Sequence, residues 1–166
     1  YSSFSIYGWE ERDKPFEPLF EKLRNHPKIT YHGARSNEEV REALTNTHLF
    51  VYPCIWPETS CRALIEAMSA GVMCMTTNYG CLYETGARLA STYQMQDDLQ
   101  SLANATYQVM RGLTQHIRKM DRDAMNYVRQ DVAMRANEAF SWQTRAHDWF
   151  AVLEHARNRW NAKKDT

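Results

Sequence analysis

What the sequence lacks narrows the possibilities first. It has no excess of either charge, since 20 Lys and Arg stand against 20 Asp and Glu in 166 residues. Without a net field there is no long-range attraction for nucleic acid or an anionic membrane. The tail is locally basic: residues 111–166 carry 11 basic and 7 acidic side chains, against 9 and 13 in residues 1–110. Those tail charges alternate in sign along helical segments, as on a solvated face, and no basic-aromatic interleaving marks a nucleic-acid surface. No apolar run approaches the ~18 residues of a membrane span, so neither a span nor a signal peptide is expected. Cys54, Cys61, Cys74 and Cys81 form no Cys-x-x-Cys pair and have no His at ligand spacing, so no metal is expected. Most lie in apolar runs, where a free thiol acts as a small hydrophobe, which points to a reduced, cytoplasmic setting.

What is present is an ordinary globular composition, 43% hydrophobic and 24% charged, which excludes disorder. The length suits one domain, 1–166. Over residues 1–96 short apolar runs alternate with amphipathic segments. Strands are expected at 4–8, 28–33, 48–53, 72–77 and, more weakly, 87–92. Phe16, Leu19, Phe20 and Leu23 recur at helical spacing, as do Val40, Ala43 and Leu44 after a capping box at Ser36 and Glu39. The run 48–53 is apolar enough for a strand covered on both faces. A helix from about Arg62 stops at Ala70-Gly71, where glycine supplies a left-handed terminus. Strand and helix alternating at this pitch predict an α/β, Rossmann-like parallel sheet flanked by helices.

Residues 97–166 read as a helical tail. Asp97 and Asp98 open a helix expected to end at Gly112, and Leu113, Ile117, Met120, Ala124 and Tyr127 continue on a new stripe. Ser141 caps a last helix whose Trp142, Trp149, Phe150, Leu153 and Trp160 are expected to pin it onto the sheet.

Within the apolar flow, Trp56-Pro57-Glu58-Thr59-Ser60 forms a polar corner between a strand and a helix. Ligands of open parallel sheets bind outside the carboxyl ends of the strands, where this corner falls. With Thr59 or Ser60 as N-cap, the amides of Ser60, Cys61, Arg62 and Ala63 would point outward at the positive end of a helix, a site for a phosphate or diphosphate. Glu58 precedes those amides and Glu66 lies within the helix, beside Ala63, Ala67 and Ala70. A carboxylate can accept two hydrogen bonds from vicinal hydroxyls. Two of them around a diphosphate site suit a nucleotide sugar. The same residues also fit a plainer arrangement, with Arg62 and Glu66 paired at i,i+4 and Glu58 stabilising the helix dipole.

The stretch YPCIWPETSCRALIEAMSAGVMCMTTNYGCLYETG resembles the nucleotide-sugar-binding segment of retaining glycosyltransferases of the GT-B fold, group 1 family. Glu58 to Glu66 forms E-x7-E, followed by Ala67-Met68-Ser69-Ala70-Gly71, a strand, and a turn from Gly80 to Glu84. The resemblance implies that this is the C-terminal, donor-binding domain of a two-domain enzyme, inactive alone and lacking the N-terminal acceptor domain in this chain. It implies retaining transfer of a sugar from a nucleoside diphosphate to an acceptor hydroxyl, with no cofactor and no metal. It assigns Glu58 to the sugar hydroxyls, the amides of Thr59, Ser60 and Cys61 to the diphosphate, Glu66 to the ribose, and Gly33, Ala34 and Arg35 to the neighbourhood of the base.

Two departures stand out. Many family members carry Phe-Gly or a second glycine after the first Glu, where this chain has Thr59-Ser60-Cys61, so side chains narrow the corner. The Arg and Lys that neutralise the diphosphate in the family are not matched, since Arg12 and Lys14 do not fit that motif. The alternatives are an epimerase-type enzyme, for which no acid-base residues can be placed, and a non-catalytic GT-B-like binding or scaffold module, against which the retention of both carboxylates argues.

Overall fold

A computed structural model describes residues 4–7, 11–86 and 88–162 of the chain. It divides into two compact units, Tyr1–Ala43 and Leu44–Thr166. The expected strand end at Gly8-Trp9, and Ala87 at the start of the expected fifth strand, lie outside the described residues.

In the first unit β1 (Phe4–Tyr7) pairs in parallel with β2 (Ile29–Gly33). Between them run a 3-10 turn, Glu11–Phe16, and α1 (Glu17–Arg24). Phe20 and Leu23 are half-buried, but Phe16 and Leu19 are exposed, so only half of the expected apolar face is covered. Phe20 stacks on Tyr31 of β2 at 5.1 Å, and the Arg24 guanidinium lies over the same ring at 5.0 Å. The capping box forms at the head of α2 (Asn37–Thr45). The Ser36 amide and hydroxyl both donate to Glu39 Oε2 at 2.9 Å, and the Glu39 amide donates to Ser36 Oγ at 3.2 Å.

The second unit is built on a parallel sheet with β4 (Met73–Thr77) between β3 (Leu49–Tyr52) and β5 (Ala90–Tyr93). The class is α/β and Rossmann-like. Four of the five β4 residues are buried, whereas β3 is only half-buried along its length, less covered than its apolar run suggested. On one face Met75 and Tyr93 meet Leu102 of α5 (Leu99–Ile117), with Leu49, Val51, Val109 and Leu113 around them. Against the sheet pack α3 (Arg62–Ser69) and the short α4 (Leu82–Gly86), which bury Leu64, Met68 and Leu82 completely. Each such side chain contributes about 1.5–3 kcal/mol by leaving water.

Two helix ends explain how the second unit is assembled. α3 stops as the sequence indicates: Gly71, at φ +74°, donates to Met68 O and Val72 to Ala67 O, the paired bonds of a glycine-terminated helix. A Cβ at Gly71 would lie 2.5 Å from the carbonyl oxygen of Arg129 in α6 (Arg122–Phe140), so glycine also admits that helix. Gly112, by contrast, does not end α5. Nothing lies within 4 Å of where its Cβ would be, and Leu113 beyond it packs on the same core as Leu102, which carries the helix through. The single stripe expected from Leu113 to Tyr127 is therefore shared by two helices that break at residues 118–121, where Asp121 caps α6 by accepting from Ala124 N at 2.8 Å.

The last helix, α7 (Trp142–Ala162), begins where Ser141 was expected to cap it; the Thr144 amide donates to Ser141 Oγ at 3.1 Å. Its packing differs from expectation. No residue of α7 is buried, and Trp149, Phe150 and Leu153 are 61–65% exposed, so the rings do not pin the helix onto the sheet.

Candidate functional site

The loop from Pro53 to Cys61 follows β3 at its carboxyl end, and the turn between β4 and α4 holds it in place. Thr77 Oγ1 donates to Cys54 O at 2.7 Å, the Cys81 amide to Glu58 O at 2.8 Å, and Thr85 Oγ1 to Ser60 O at 3.1 Å. Gly80 closes the contact: at φ +59°, a Cβ there would lie 2.6 Å from Glu58 N and 2.7 Å from Glu58 O. The strand-to-helix corner thus has three of its carbonyl oxygens turned inward and bonded.

Its amides are the counterpart. Glu58 N donates to Trp56 O at 2.8 Å, and the carbonyl of Cys61 accepts from Leu64 and Ile65. Among the described residues, the amides of Thr59, Ser60, Cys61, Arg62 and Ala63 donate to no protein acceptor. Contrary to the expectation from sequence, neither Thr59 nor Ser60 is the N-cap; that position is Cys61, which makes no side-chain cap and is left-handed, with φ 48° and ψ 70°. A non-glycine residue there costs on the order of 1–3 kcal/mol, and the strain is held by burial of the Cys61 side chain, 6% exposed. Among the described residues no side chain caps the helix start, which leaves the amides at the amino end of α3 to another acceptor.

Glu58 and Glu66 bracket this opening along the chain. Glu58 stands four residues before the first helical residue, and its Oε1 accepts from Tyr52 Oη at 2.6 Å. Glu66 lies in the second turn of α3, with Arg62 Nε 3.9 Å from its Oε1, so the plainer i,i+4 pairing is present as well, at the long limit of an ion pair. Arg62 is 80% exposed and Glu66 23%, so the pair is loosely held and screened. Gly33, Ala34 and Arg35 lie in the first unit, where β2 ends on Gly33 at φ +66° and Arg35 sits 3.9 Å from Glu39.

Several groups that shape the corner were not singled out in the sequence. Tyr52 reads as strand core, yet its hydroxyl holds Glu58. Burial, then the bond to Glu58, pushes the Tyr52 phenol well above its ordinary range, so it remains a donor. Burial likewise raises the Cys61 thiol, and pushes Cys74 up to about 12, so neither is a thiolate nucleophile. Thr77 and Thr85 are short polar residues in apolar surroundings, and that mismatch is the signal that could have found them.

Among the described residues no group of three or more His, Cys, Asp or Glu could hold a metal, and no helix is long and apolar enough to cross a membrane. A cavity of about 540 Å³ opens at the other end of β3, lined by Thr45, His48, Ile117, Asp121 and Arg129. Two of its charged groups are engaged in structure: Arg129 donates to Thr45 O and Thr47 O, and Asp121 caps α6.

No curated protein matches the chain. A crystal structure of AviGT4, a glycosyltransferase involved in avilamycin A biosynthesis, aligns with a TM-score of 0.49 and 16% sequence identity, over 81% of this chain and 38% of that one. This chain therefore spans well under two thirds of that protein. The family model described as "Glycosyl transferases group 1" matches residues 3–97, a span that contains β1 to β5, the corner, and both Glu58 and Glu66. That is more than half of the 166 residues, and the chain belongs to the group 1 glycosyltransferase family.

Proposed function

We propose that this chain is the donor-binding part of a retaining glycosyltransferase that takes a nucleoside-diphosphate sugar, working in the cytoplasm with an N-terminal GT-B half that carries the acceptor. The observation that carries the reading is the polarity of the corner. Its carbonyls are tied inward by Thr77, Cys81 and Thr85, while five consecutive amides from Thr59 to Ala63 find no protein acceptor among the described residues. Such a set at a helix start suits a diphosphate, and in a dry site it would stabilise the charge that builds on the departing diphosphate as the glycosidic bond breaks.

In this reading Glu58 contacts hydroxyls of the donor sugar, the amides of Thr59, Ser60 and Cys61 hold the diphosphate, and Glu66 grips the ribose. For Gly33, Ala34 and Arg35 a role at the base rests on the sequence resemblance. The test is titration of UDP, GDP and ADP into the chain by calorimetry, with amide NMR shifts followed across 58–66. One nucleoside diphosphate is expected to bind, to shift those amides, and to bind more weakly to Glu66→Ala. If none perturbs the 58–66 amides, the assignment is wrong.

A further inference from the structure

Tyr52 is the last residue of β3, and the strand registers place it opposite Thr76 of β4, which in turn lies opposite Thr92 of β5. The three side chains therefore share one face of the sheet. α4 closes over that face, since a Cβ on Gly86 would meet Ala90 Cβ at 3.3 Å and Thr92 Cγ2 at 3.9 Å. The Tyr52 ring stacks on Phe50 at 5.9 Å with planes 12° apart, which sets its direction along the strand toward the corner. From there the phenol donates to Glu58 Oε1 at 2.6 Å.

The backbone of Glu58 is already fixed at both its amide and its carbonyl, and Gly80 presses against it. What remains free is the rotation of its side chain. A short, charge-assisted bond on one oxygen restrains that rotation, and the second oxygen keeps its capacity to accept. The bond does not tie up Glu58; it chooses which edge of the carboxylate is available.

We propose that Tyr52 is a positioning residue for sugar recognition: by donating to Oε1 of Glu58 it presents Oε2 to the hydroxyls of the donor sugar, and so sets affinity for the sugar half of the donor while leaving the nucleoside-diphosphate half untouched. The inference rests on the donor-binding reading of the corner given above. It also explains why a tyrosine ends a strand whose other residues, Leu49, Phe50 and Val51, are apolar. A phenylalanine would fill the same space and stack on Phe50, but would leave the carboxylate to turn.

The experiment compares wild-type chain with Tyr52→Phe, measuring affinity by calorimetry for UDP-glucose, GDP-mannose and ADP-glucose and for UDP, GDP and ADP. For whichever donor binds, Tyr52→Phe is expected to lower nucleotide-sugar affinity about tenfold, a typical effect for a hydrogen bond to a charged group, with the matching nucleoside diphosphate unchanged. Glu58→Asp, which withdraws the carboxylate from the phenol by one methylene, should show the same split. Tyr52→Phe added to Glu58→Ala, which removes the acceptor, should cause no further loss. A merely structural tyrosine would weaken both ligand classes together or add its effect to that of Glu58→Ala, and either result overturns the proposal, as does an unchanged nucleotide-sugar affinity in Tyr52→Phe. A wild-type chain that binds none of the six ligands sinks the donor-binding reading itself, an outcome distinct from a wild type that binds and a variant that is silent.

Discussion

Two long helices, α5 and α7, show what an apolar stripe does and does not specify. They are of similar length, 19 and 21 residues, and both carry large apolar side chains at helical spacing. α5 leads from β5 through a short loop onto the sheet and buries Leu102, 4% exposed, against Met75 and Tyr93. α7 leaves α6 after a single extended residue, Ser141, and the position it reaches covers none of its rings; Trp142 is 86% exposed. The stripe identifies the face a helix would bury. Whether a neighbour stands there depends on where the chain delivers the helix, and on what is already in place: α6, not α7, lies against the end of α3 at Gly71.

The comparison can be broken most directly by equal truncations in the two helices. Leu102→Ala is expected to cost about 2–5 kcal/mol in urea unfolding, as buried leucines do, whereas Leu153→Ala should stay within about 0.5 kcal/mol. A cost above about 2 kcal/mol at Leu153 would mean that α7 is packed, and the contrast would fall. Next in size is Gly71→Ala. It places a Cβ against the Arg129 carbonyl at a left-handed φ, and should cost about 1–3 kcal/mol while loosening α6 from α3. The same substitution at Gly112, with open space around it, should be neutral to stabilising.

The smallest effect separates the two helix starts by pH. α5 is capped by Asp98, whose carboxylate accepts from Ser101 N at 2.9 Å; the Ser101 hydroxyl first, and then its amide, hold the Asp98 pKa below the ordinary value. A depressed carboxylate adds stability that is present above the ordinary value near 4 and is lost as the pH falls through the lower folded value. α7 is capped by the hydroxyl of Ser141, which does not titrate there. Amide exchange should therefore quicken at Ser101 on acidification and not at Thr144, relative to the intrinsic rates. Equal responses at the two caps would remove the distinction.

The sequence made legible those features that depend on local chemistry. The capping box at Ser36 and Glu39, the glycine stop at Gly71, the Asp98 and Ser141 caps, and the alternation of parallel strands with helices all follow from contacts within a few residues. What escaped depends on distant partners. Gly112 looked like a helix end because glycine is a poor helix former, but tertiary packing of Leu113 overrode that propensity. Cys61 gave no sign of a left-handed backbone, because its burial and the bond that fixes the neighbouring Ser60 carbonyl, from Thr85 of α4, depend on distant parts of the chain. In the candidate site the two carboxylates and the amides could be seen from spacing; the bonds from Thr77, Cys81, Thr85 and Tyr52 that orient them could not.

One feature of α3 links these regions mechanically. The helix is eight residues long, about 12 Å at the usual rise, and is gripped at its carboxyl end by α6: Arg129 reaches Ala70 O at 3.5 Å, Asn137 reaches Ser69 O at 3.3 Å, and the Arg129 backbone abuts Gly71. Two turns leave no room for a kink between this grip and the corner, so the seat that α6 gives the carboxyl end of α3 also helps set the direction in which its amino-end amides face.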